Sequence, residues 1–302
     1  MFGQSEKEEA EIDRVLSLAD QPVNINTARK LIAEIKKIMD DNNVSFFLRQ
    51  GTCLGAIRNG DLIPWDDDID IGSIYGLHGF EEQQIATVIP DMQKKGFLTR
   101  ISAHNDYYKC VTFVKGSMRI DWGCYWEINS SIIMYPAIPI PMRLFESLKE
   151  IELLGRKYLV PNPPEEYLCY KYGEDWRTPK QTGEYEGDVL DIILKTHSIG
   201  LSIKYKQFLA KILPWWSKTK VHIVDQEKKP VSGVRVFIAG LGIFKSNKKG
   251  IVKFYIPRCD LYAFRFEVNG EEYILYMETL HPDASYIYQL GSEHFTSDTG
   301  YD

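Results

Sequence analysis

The chain contains 302 residues, of which 36 are Lys or Arg and 42 are Asp or Glu, and its formal net charge at pH 7 is −6. Hydrophobic residues make up 44% of it and charged residues 26%, which is typical of a globular protein with a sizeable core. The acidic balance argues against general nucleic-acid binding, which needs a basic face, and no apolar run is long enough to cross a bilayer.

The N-terminal residues and the cysteines both favour a cytoplasmic protein. The first residues lack the basic and apolar regions of a secretion signal. The cysteines are dispersed, odd in number and without a Cys-x-x-Cys pair, so they form neither a disulfide framework nor a zinc-ribbon motif. They are Cys53, Cys110, Cys124, Cys169 and Cys259.

The N-terminal part of the chain predicts helices that alternate with strands. Apolar residues at helical spacing predict a helix over residues 28–39, with Asn26 or Thr27 as its cap. A short strand at 44–48 leads into a Gly-Thr turn and a second helix. The alternation of isoleucine with aspartate predicts a half-buried strand at 68–71.

The middle of the chain predicts two more helices and a pair of strands. A helix is expected over residues 81–95, followed by strands at 107–114 and 118–125 with a tight turn between them. Pro164 and the two glutamates after it predict the start of another helix, which Gly173 ends.

The C-terminal part of the chain has a different character. Short β-rich runs are separated by turn signals, and the Asn-Gly pair at 269–270 is a strong hairpin signal. About six or seven strands in this part indicate a small antiparallel sandwich. We therefore predict an α+β protein with one domain over residues 1–218, a β-sandwich over 219–292 and a disordered tail over 293–302.

The most informative segment contains four aspartates within five positions. On a strand, Asp66, Asp68 and Asp70 would project from one face about 6.6 Å apart, close enough to bind one cation. A bound divalent metal would relieve their mutual repulsion, whereas the simplest alternative is a solvated acidic loop. An EF-hand is excluded, because that motif needs Gly and Glu where this chain has Ile71 and Leu77.

A possible phosphate site precedes the aspartates. Gly51 and Thr52 form a turn between the predicted strand and the second helix, where backbone N–H groups and the helix dipole favour phosphate oxygens. Arg58 could add a bidentate phosphate contact. A metal site and a phosphate site would then lie together.

Two sequence motifs, one after the other along the chain, resemble those of the LicD family, to which fukutin-related proteins belong. The first comprises residues 51–58 and 63–72, and the second, at 159–179, is similar to the family's Tyr-Gly-x-x-Trp-x-x-Pro element. The resemblance implies a nucleotidyltransferase-like mixed sheet with flanking helices, in which a Gly-Ser or Gly-Thr turn precedes an Asp-x-Asp strand. A third carboxylate comes from a later strand in that fold.

The resemblance also implies the site residues of this chain. Asp68 and Asp70 correspond to the two strand carboxylates, and we choose Asp121, between apolar neighbours on a predicted strand, as the third catalytic residue. These three, with Asp66, are expected to bind Mg²⁺ or Mn²⁺. Asp121 is one candidate for the base that deprotonates the acceptor, and a metal-bound hydroxide is the other.

LicD-type enzymes transfer a phospho-alcohol, typically phosphocholine, from a CDP-activated donor to a sugar hydroxyl of a surface glycan. The resemblance therefore implies a CDP-alcohol donor, with CDP-choline favoured, and a glycan acceptor or its lipid-linked precursor. A quaternary ammonium needs an aromatic cage, for which Trp126, Tyr172 and Trp176 are candidates. CDP-ribitol or CDP-glycerol would instead need polar partners for hydroxyl groups.

Two other functions stay open at this point. The same carboxylates would serve a nucleotidyltransferase that moves NMP from an NTP to a small acceptor, with pyrophosphate rather than CMP as the product. A catalytically silent carbohydrate-binding protein is the other, although clustered charges would then have no role.

The predicted sandwich resembles a second kind of module. Residues 230–236 and 250–254 are similar to the carboxypeptidase-regulatory-like (transthyretin-like) family. That resemblance implies a module that packs, pairs or binds glycan. Because it carries no acid cluster, we expect the chemistry in the first domain.

A basic segment joins the two predicted domains. No acid occurs between Asp191 and Asp225, whereas six lysines and several aromatic residues do. One interpretation of residues 195–220 is a peripheral contact with an anionic membrane. The other, which the sequence favours, is a helix whose apolar face packs at the domain junction while its lysines are solvated.

Overall fold

The computed structural model describes residues 6–17, 24–105, 107–134, 138–180, 201–213, 219–257, 259–292 and 294–297. The chain divides into two compact units. The first consists of Met1–Ile133 and Pro139–Thr182, and the second of Met134–Ile138 and Gly183–Asp302. The segment 183–218, which the sequence placed in the first domain, thus belongs to the second unit. No helix in the described ranges is both long and apolar enough to cross a bilayer.

The first unit is built on a mixed sheet. Its described helices are α1 (Glu6–Leu16), α2 (Ile25–Asp41), α3 (Gln50–Asn59), α4 (Gln83–Lys94) and α5 (Pro164–Tyr172). Its sheet contains β1 (Phe47–Leu48), β2 (Asp68–Ile74), β3 (Leu98–Asn105), β4 (Tyr108–Lys115) and β5 (Met118–Tyr125). After the separate pair β6 (Ser131–Met134) and β7 (Ile138–Pro141), the sheet is completed by β8 (Lys149–Leu153) and β9 (Arg156–Val160).

The strand order in this sheet is β3-β4-β5-β2-β1-β9-β8. The β2–β5 and β1–β9 pairs are parallel and the others antiparallel, so the predicted α+β fold with a mixed sheet is confirmed. The parallel pairing of β2 with β5 is the feature that matters for the site. It brings together two segments that are about 50 positions apart in the sequence.

Alternation along β2 and β5 decides which side chains face the core. Ile69 and Ile71 are fully buried on β2, and Ile120 and Trp122 are fully buried on β5. Successive side chains of a strand point to opposite faces, so the aspartates between these residues share the other face. The apolar residues anchor the strands, and the carboxylates are held on a rigid element.

Helix α2 starts earlier than the sequence predicted. The side chain of Asn24 caps it by accepting hydrogen bonds from the backbone N–H groups of Asn26 and Thr27. Its predicted apolar face is buried as expected, because Leu31, Ile35 and the other residues at this spacing pack into the core.

The second unit contains one described helix and two four-stranded sheets. The helix is α6 (Leu201–Ile212). One sheet has the order β13-β10-β16-β17 and the other β12-β11-β14-β15. These strands are β10 (Lys220–Val224), β11 (Arg235–Ile238), β12 (Gly242–Lys245), β13 (Ile251–Lys253), β14 (Asp260–Val268), β15 (Glu271–Leu280), β16 (Ser285–Gln289) and β17 (Thr296–Ser297).

Both sheets contribute to a single hydrophobic core, which includes Ile223 from one and Phe264 from the other. Two details differ from the sequence prediction. The sandwich is not purely antiparallel, since β10 and β16 pair in parallel after the chain has passed through the other sheet. Thr296 and Ser297, expected in a disordered tail, pair with β16. Residues 293 and 298–302 of that predicted tail lie outside the described residues.

Candidate active site

Two predicted catalytic carboxylates lie side by side on adjacent strands. Asp70 of β2 and Asp121 of β5 are directly paired in the parallel register, and Asp68 is paired with Arg119. Asp70 is buried, while Asp68 and Asp121 are half-buried. The sheet therefore presents three carboxylates and a guanidinium group on one small surface.

A second group of carboxylates lies just before β2. Carboxylate oxygens of Asp66, Asp67 and Asp68 all lie within 4.8 Å of one another, and this is the arrangement among the described residues that could hold a metal ion. Asp66 is not on the strand, contrary to the sequence prediction. A turn closed by a hydrogen bond from Asp66 N–H to the Ile63 carbonyl, with Pro64 inside it, delays the start of β2 to Asp68.

The loop carries the Asp66 carboxylate against the start of α3. A Cβ atom placed on Gly51 would lie 2.4 Å from Asp66 Oδ2. Glycine is therefore needed at this position for space, because any larger residue would displace the carboxylate. Gly51 and Thr52, which the sequence placed in a turn before the helix, lie in the first turn of α3, and Gly51 is in contact with the acidic cluster.

We expect Gly51→Ala to weaken Mn²⁺ binding by about tenfold or more, since the added methyl group moves the Asp66 carboxylate. Titration calorimetry with Mn²⁺ measures this. In an Asp66→Ala background the same glycine substitution should cause no further loss. A further loss there would show that Gly51 acts by another route.

Thr52 and its neighbours fix α3 to β2. The Asp70 backbone N–H donates to the Thr52 hydroxyl at 2.8 Å, and the Arg49 N–H donates to the Asp70 carbonyl at 3.2 Å. Gln50 has a positive φ of 45°, and its backbone N–H donates to the Tyr167 hydroxyl at 2.9 Å. A non-glycine residue in this conformation is strained, and such strain tends to occur at functional sites.

Two arginines contact the carboxylates on the sheet. Arg49 is buried and places Nη2 2.7 Å from Asp70 Oδ1. Arg119 places its guanidinium between the other carboxylates, with Nε 3.1 Å from Asp68 Oδ2, Nη2 3.1 Å from an oxygen of Asp67 and Nε 3.6 Å from an oxygen of Asp121. Each arginine thus holds carboxylates of the cluster in place.

The cluster contains more carboxyl groups than cationic side chains, and this crowding disfavours their ionised forms. Burial, and then repulsion from Asp70 and Asp67, raises the pKa of Asp66 to about 8. Burial and the Asp70 charge raise the pKa of Asp68 well above its ordinary value. The pKa of Asp70 is also raised, chiefly by burial, although Arg49 opposes the change. An oxygen-rich site in which carboxyl groups outnumber cationic side chains fits a hard divalent cation, which would favour their ionised forms.

Comparison with known proteins agrees with this geometry. Residues 43–163 match the family model described as LicD/FKTN/FKRP, nucleotidyltransferase domain. The match contains the Gly-Thr turn, the acidic loop and Asp121. Residues 43–163 form a LicD-family domain. The predicted family resemblance is confirmed for this part of the chain, whereas the resemblance of the C-terminal sheets to a transthyretin-like module stays a prediction.

Relatives of the LicD domain include proteins named for their activity. Over 160 residues the chain is 22% identical to ribitol 5-phosphate transferase FKRP of Mus musculus and of Homo sapiens. Each match covers 50% of this chain and 32% of the relative, so the chain spans about a third of the length of these proteins. Among solved structures, the antibiotic-resistance factor ANT(2'')-Ia is similar over 63% of this chain and 96% of its own, with 15% identity and a TM-score of 0.36.

Arg58 and Trp126 lie away from the carboxylates of the LicD domain. Arg58 is in the last turn of α3, about 10 Å along the helix from Gly51, and its Nε donates to Asn59 Oδ1 at 2.8 Å. Trp126 follows β5, about 16 Å along the strand direction from Asp121, and stacks on Tyr75 with ring centroids 3.8 Å apart. The roles of both residues in substrate binding stay predictions.

Tyr172 lies close to the carboxylates. Burial raises the pKa of its hydroxyl well above the ordinary value, and the nearby carboxyl groups of Asp70 and Asp66 add to this increase. Trp176 is buried, with the guanidinium of Arg177 4.1 Å from its ring centroid. Both residues belong to the second sequence motif, and both rings are buried.

Each of the three candidate cage rings already has a cationic side chain of the protein beside it. Arg177 covers Trp176, and the lysine ammonium groups near Trp126 and Tyr172 lie 5.6 and 5.7 Å from the ring centroids. A choline group would have to displace these cations to use the rings. The aromatic cage stays a prediction from the sequence, and the cations beside the three rings count against it.

The sequence analysis missed several residues of the site. Arg119 could have been found, because it lies two positions before Asp121 and therefore on the same strand face. Lys171, whose charge favours the ionised form of Asp70, is a buried lysine on α5 with no signal in the sequence. The same is true of Thr112, whose hydroxyl donates to Asp121 Oδ1 at 2.8 Å from the neighbouring strand.

Proposed function

We propose that the LicD domain transfers a phospho-alcohol from a CDP-activated donor to a sugar hydroxyl of a glycan, in a reaction that depends on Mg²⁺ or Mn²⁺. The observation that carries the proposal is the in-register pair of Asp70 and Asp121 beside the carboxylates of Asp66, Asp67 and Asp68. Phosphoryl transfer needs positioning and charge neutralisation more than covalent chemistry, and a carboxylate cluster serves both.

The residues that would hold the cation are these five aspartates. A bound Mg²⁺ or Mn²⁺ would neutralise charge on the donor phosphates and on the departing CMP. The surplus of carboxylates over cationic side chains is the property of this site that supports the assignment.

The protein's own side chains would orient the reacting groups. Thr112 and Arg119 hold the two oxygens of Asp121, which we propose as the group that accepts the proton of the attacking sugar hydroxyl. Arg49 fixes Asp70 from the buried side. The Gly51-Thr52 turn, at the start of α3, would contact the donor phosphate through backbone N–H groups.

The alcohol that we propose is a polyol such as ribitol rather than choline. The relatives that match half of this chain are named as ribitol 5-phosphate transferases. The rings that the sequence suggested for choline each already have a lysine or arginine beside them. The cationic and hydroxyl groups of the site suit a polyol phosphate better than a quaternary ammonium group.

A donor panel tests the proposal. The full chain is incubated with CDP-ribitol, CDP-glycerol, CDP-choline or CTP and an acceptor sugar, with Mg²⁺ or with EDTA, and CMP and pyrophosphate are quantified. Metal-dependent CMP release that is greatest with CDP-ribitol is the expected result. A preference for CDP-choline would contradict the polyol assignment, and pyrophosphate from CTP would identify a nucleotidyltransferase. Absence of turnover with every donor would overturn the enzymatic proposal.

Metal binding should also be visible without substrate. We expect Mg²⁺ at a hundred times its Kd to raise the free energy of unfolding by about 2.7 kcal/mol, measured by denaturant unfolding against EDTA. Asp66→Asn should abolish most of this increase, because the substitution removes a ligand. Asp91, which is half-buried and pairs with Lys94 away from the cluster, offers the control, and Asp91→Asn should keep the full increase. An equal loss in both variants would contradict the site.

A further inference from the structure

Helix α6 has one face that packs onto the second unit. Ile203 packs against the hydrophobic core that the two sheets share, and Ala210 is buried. Gln207 exchanges two hydrogen bonds with the backbone of Tyr255, at 2.8 and 2.9 Å. Residues 203, 207 and 210 are spaced to share one face of a helix, so this face is the inner one.

The opposite face of α6 exposes large apolar side chains. Tyr205 is 63% exposed, Phe208 56% and Ile212 53%, the largest exposures among the large apolar residues described in the structure. At about 100° per residue these three residues lie within a sector of about 60° that is opposite the centre of the inner face. We call them the α6 outer face. A helix with a satisfied inner face has no reason within its own unit to expose three such side chains, so the outer face marks an interaction surface.

The charge around this face is opposite to that of the protein as a whole. The chain has a net charge of −6, yet no acid occurs between Asp191 and Asp225. Lys204 flanks the outer face on the helix. The other lysines of the helix in the sequence are Lys206 and Lys211, and the ammonium of Lys206 contacts the hydroxyl and ring of Tyr255. An apolar stripe bordered by cations complements a surface that is apolar inside and anionic outside.

We propose that the α6 outer face binds the surface of an anionic lipid bilayer. The helix would lie in the plane of the interface, with Tyr205, Phe208 and Ile212 inserted below the headgroups and lysines among the lipid phosphates. At 12 residues, or about 18 Å, it is too short to span a bilayer. Three side chains also offer far less than the roughly 800 Å² per partner of a standard protein interface, which disfavours a second copy as the occupant.

This inference goes beyond the proposed function and does not depend on it. Packing of an apolar face at the domain junction, which the sequence favoured, stays a prediction. Because the readout is vesicle binding and not turnover, a failure of the transferase proposal would leave it standing.

Vesicle sedimentation with the full chain tests the proposal. We expect binding to vesicles of phosphatidylcholine with about one-third phosphatidylglycerol, and little binding to phosphatidylcholine alone. Phe208→Gln/Ile212→Gln should lower the partition coefficient about a hundredfold, roughly tenfold for each apolar side chain removed. Glutamine keeps the helix propensity high. Ile101→Thr/Ile243→Thr removes two exposed isoleucines from β3 and β12 and should leave binding unchanged.

Two further measurements complete the test, namely the salt dependence of vesicle binding and the molecular mass of the protein in solution. Raising the ionic strength from about 0.1 M to about 1 M shortens the screening length from about 10 to 3 Å and should release most of the protein. Equal binding by the glutamine double variant, equal binding to both kinds of vesicle, or no binding by the wild type would each overturn the proposal. A wild-type oligomer that the double variant converts to a monomer, measured by light scattering, would show that a second copy covers this face instead.

Discussion

Asp68→Asn is expected to lower kcat/KM for phospho-alcohol transfer by about a thousandfold or more, and to leave the metal-free protein at least as stable as the wild type. Asp68 belongs both to the three-carboxylate cluster and to the strand that carries Asp70. Its loss would remove a proposed metal ligand and charge that would act in the transition state. Stability is kept because burial and like charges already disfavour the ionised form.

The two halves of this prediction have separate measurements. CMP release gives kcat/KM, and denaturant unfolding in EDTA gives the free energy of unfolding. Asp61→Asn is the matched control, since Asp61 precedes the same acidic loop but pairs with Arg29 outside the cluster. It should reduce kcat/KM only slightly. Turnover close to the wild-type value in Asp68→Asn would contradict the metal assignment, and an unfolded variant would contradict the electrostatic argument.

The carboxylates of the site could be predicted from the sequence because they lie on elements with a clear period. Ile69 and Ile71 determine the buried face of β2, and the alternation then places Asp68 and Asp70 on the other face. The same reasoning applies to Asp121 on β5. The alternation of residues along one strand does not indicate which other strand it pairs with. The in-register pairing of Asp70 with Asp121 depends on a crossover through α4, β3 and β4, which no local pattern specifies.

The aromatic residues show that a place in or beside a sequence motif does not by itself put a side chain near the carboxylates. Trp126 is near Asp121 in the sequence, but a strand extends about 3.3 Å per residue, and five residues carry the ring away from the cluster. Asp66 shows the opposite effect. It is off the strand, yet a proline-containing turn folds it back onto Gly51. Sequence distance therefore predicts proximity poorly in strands and turns, and side-chain partners such as Lys171 are decided by tertiary packing.

Arg49→Met is expected to destabilise the metal-free protein by about 3–5 kcal/mol, the usual cost of removing one partner from a buried ion pair. The Arg49 and Asp70 side chains are 3% and 8% exposed, and the guanidinium also donates to the Ile71 carbonyl at 2.9 Å. Without it, the Asp70 carboxylate would remain buried beside other acids. Although the pKa of Asp70 is raised, Asp70→Asn is also expected to be destabilising, because it removes the carboxylate that pairs with the buried Arg49. Asp68→Asn differs because Arg119 keeps Asp67 and Asp121 as partners.

A double-mutant cycle separates this pair from a general loss of packing. The combined Arg49→Met/Asp70→Asn variant should cost clearly less than the sum of the two single substitutions, since neither charge is then left unpaired. Mg²⁺ should restore part of the stability of Arg49→Met, because a cation near Asp70 replaces the missing guanidinium, but not that of the double variant. Arg29→Met breaks a part-exposed pair and should cost far less than Arg49→Met. Additive losses in the cycle would mean that Arg49 supports the strand by packing, and that Asp70 does not depend on it for its charge.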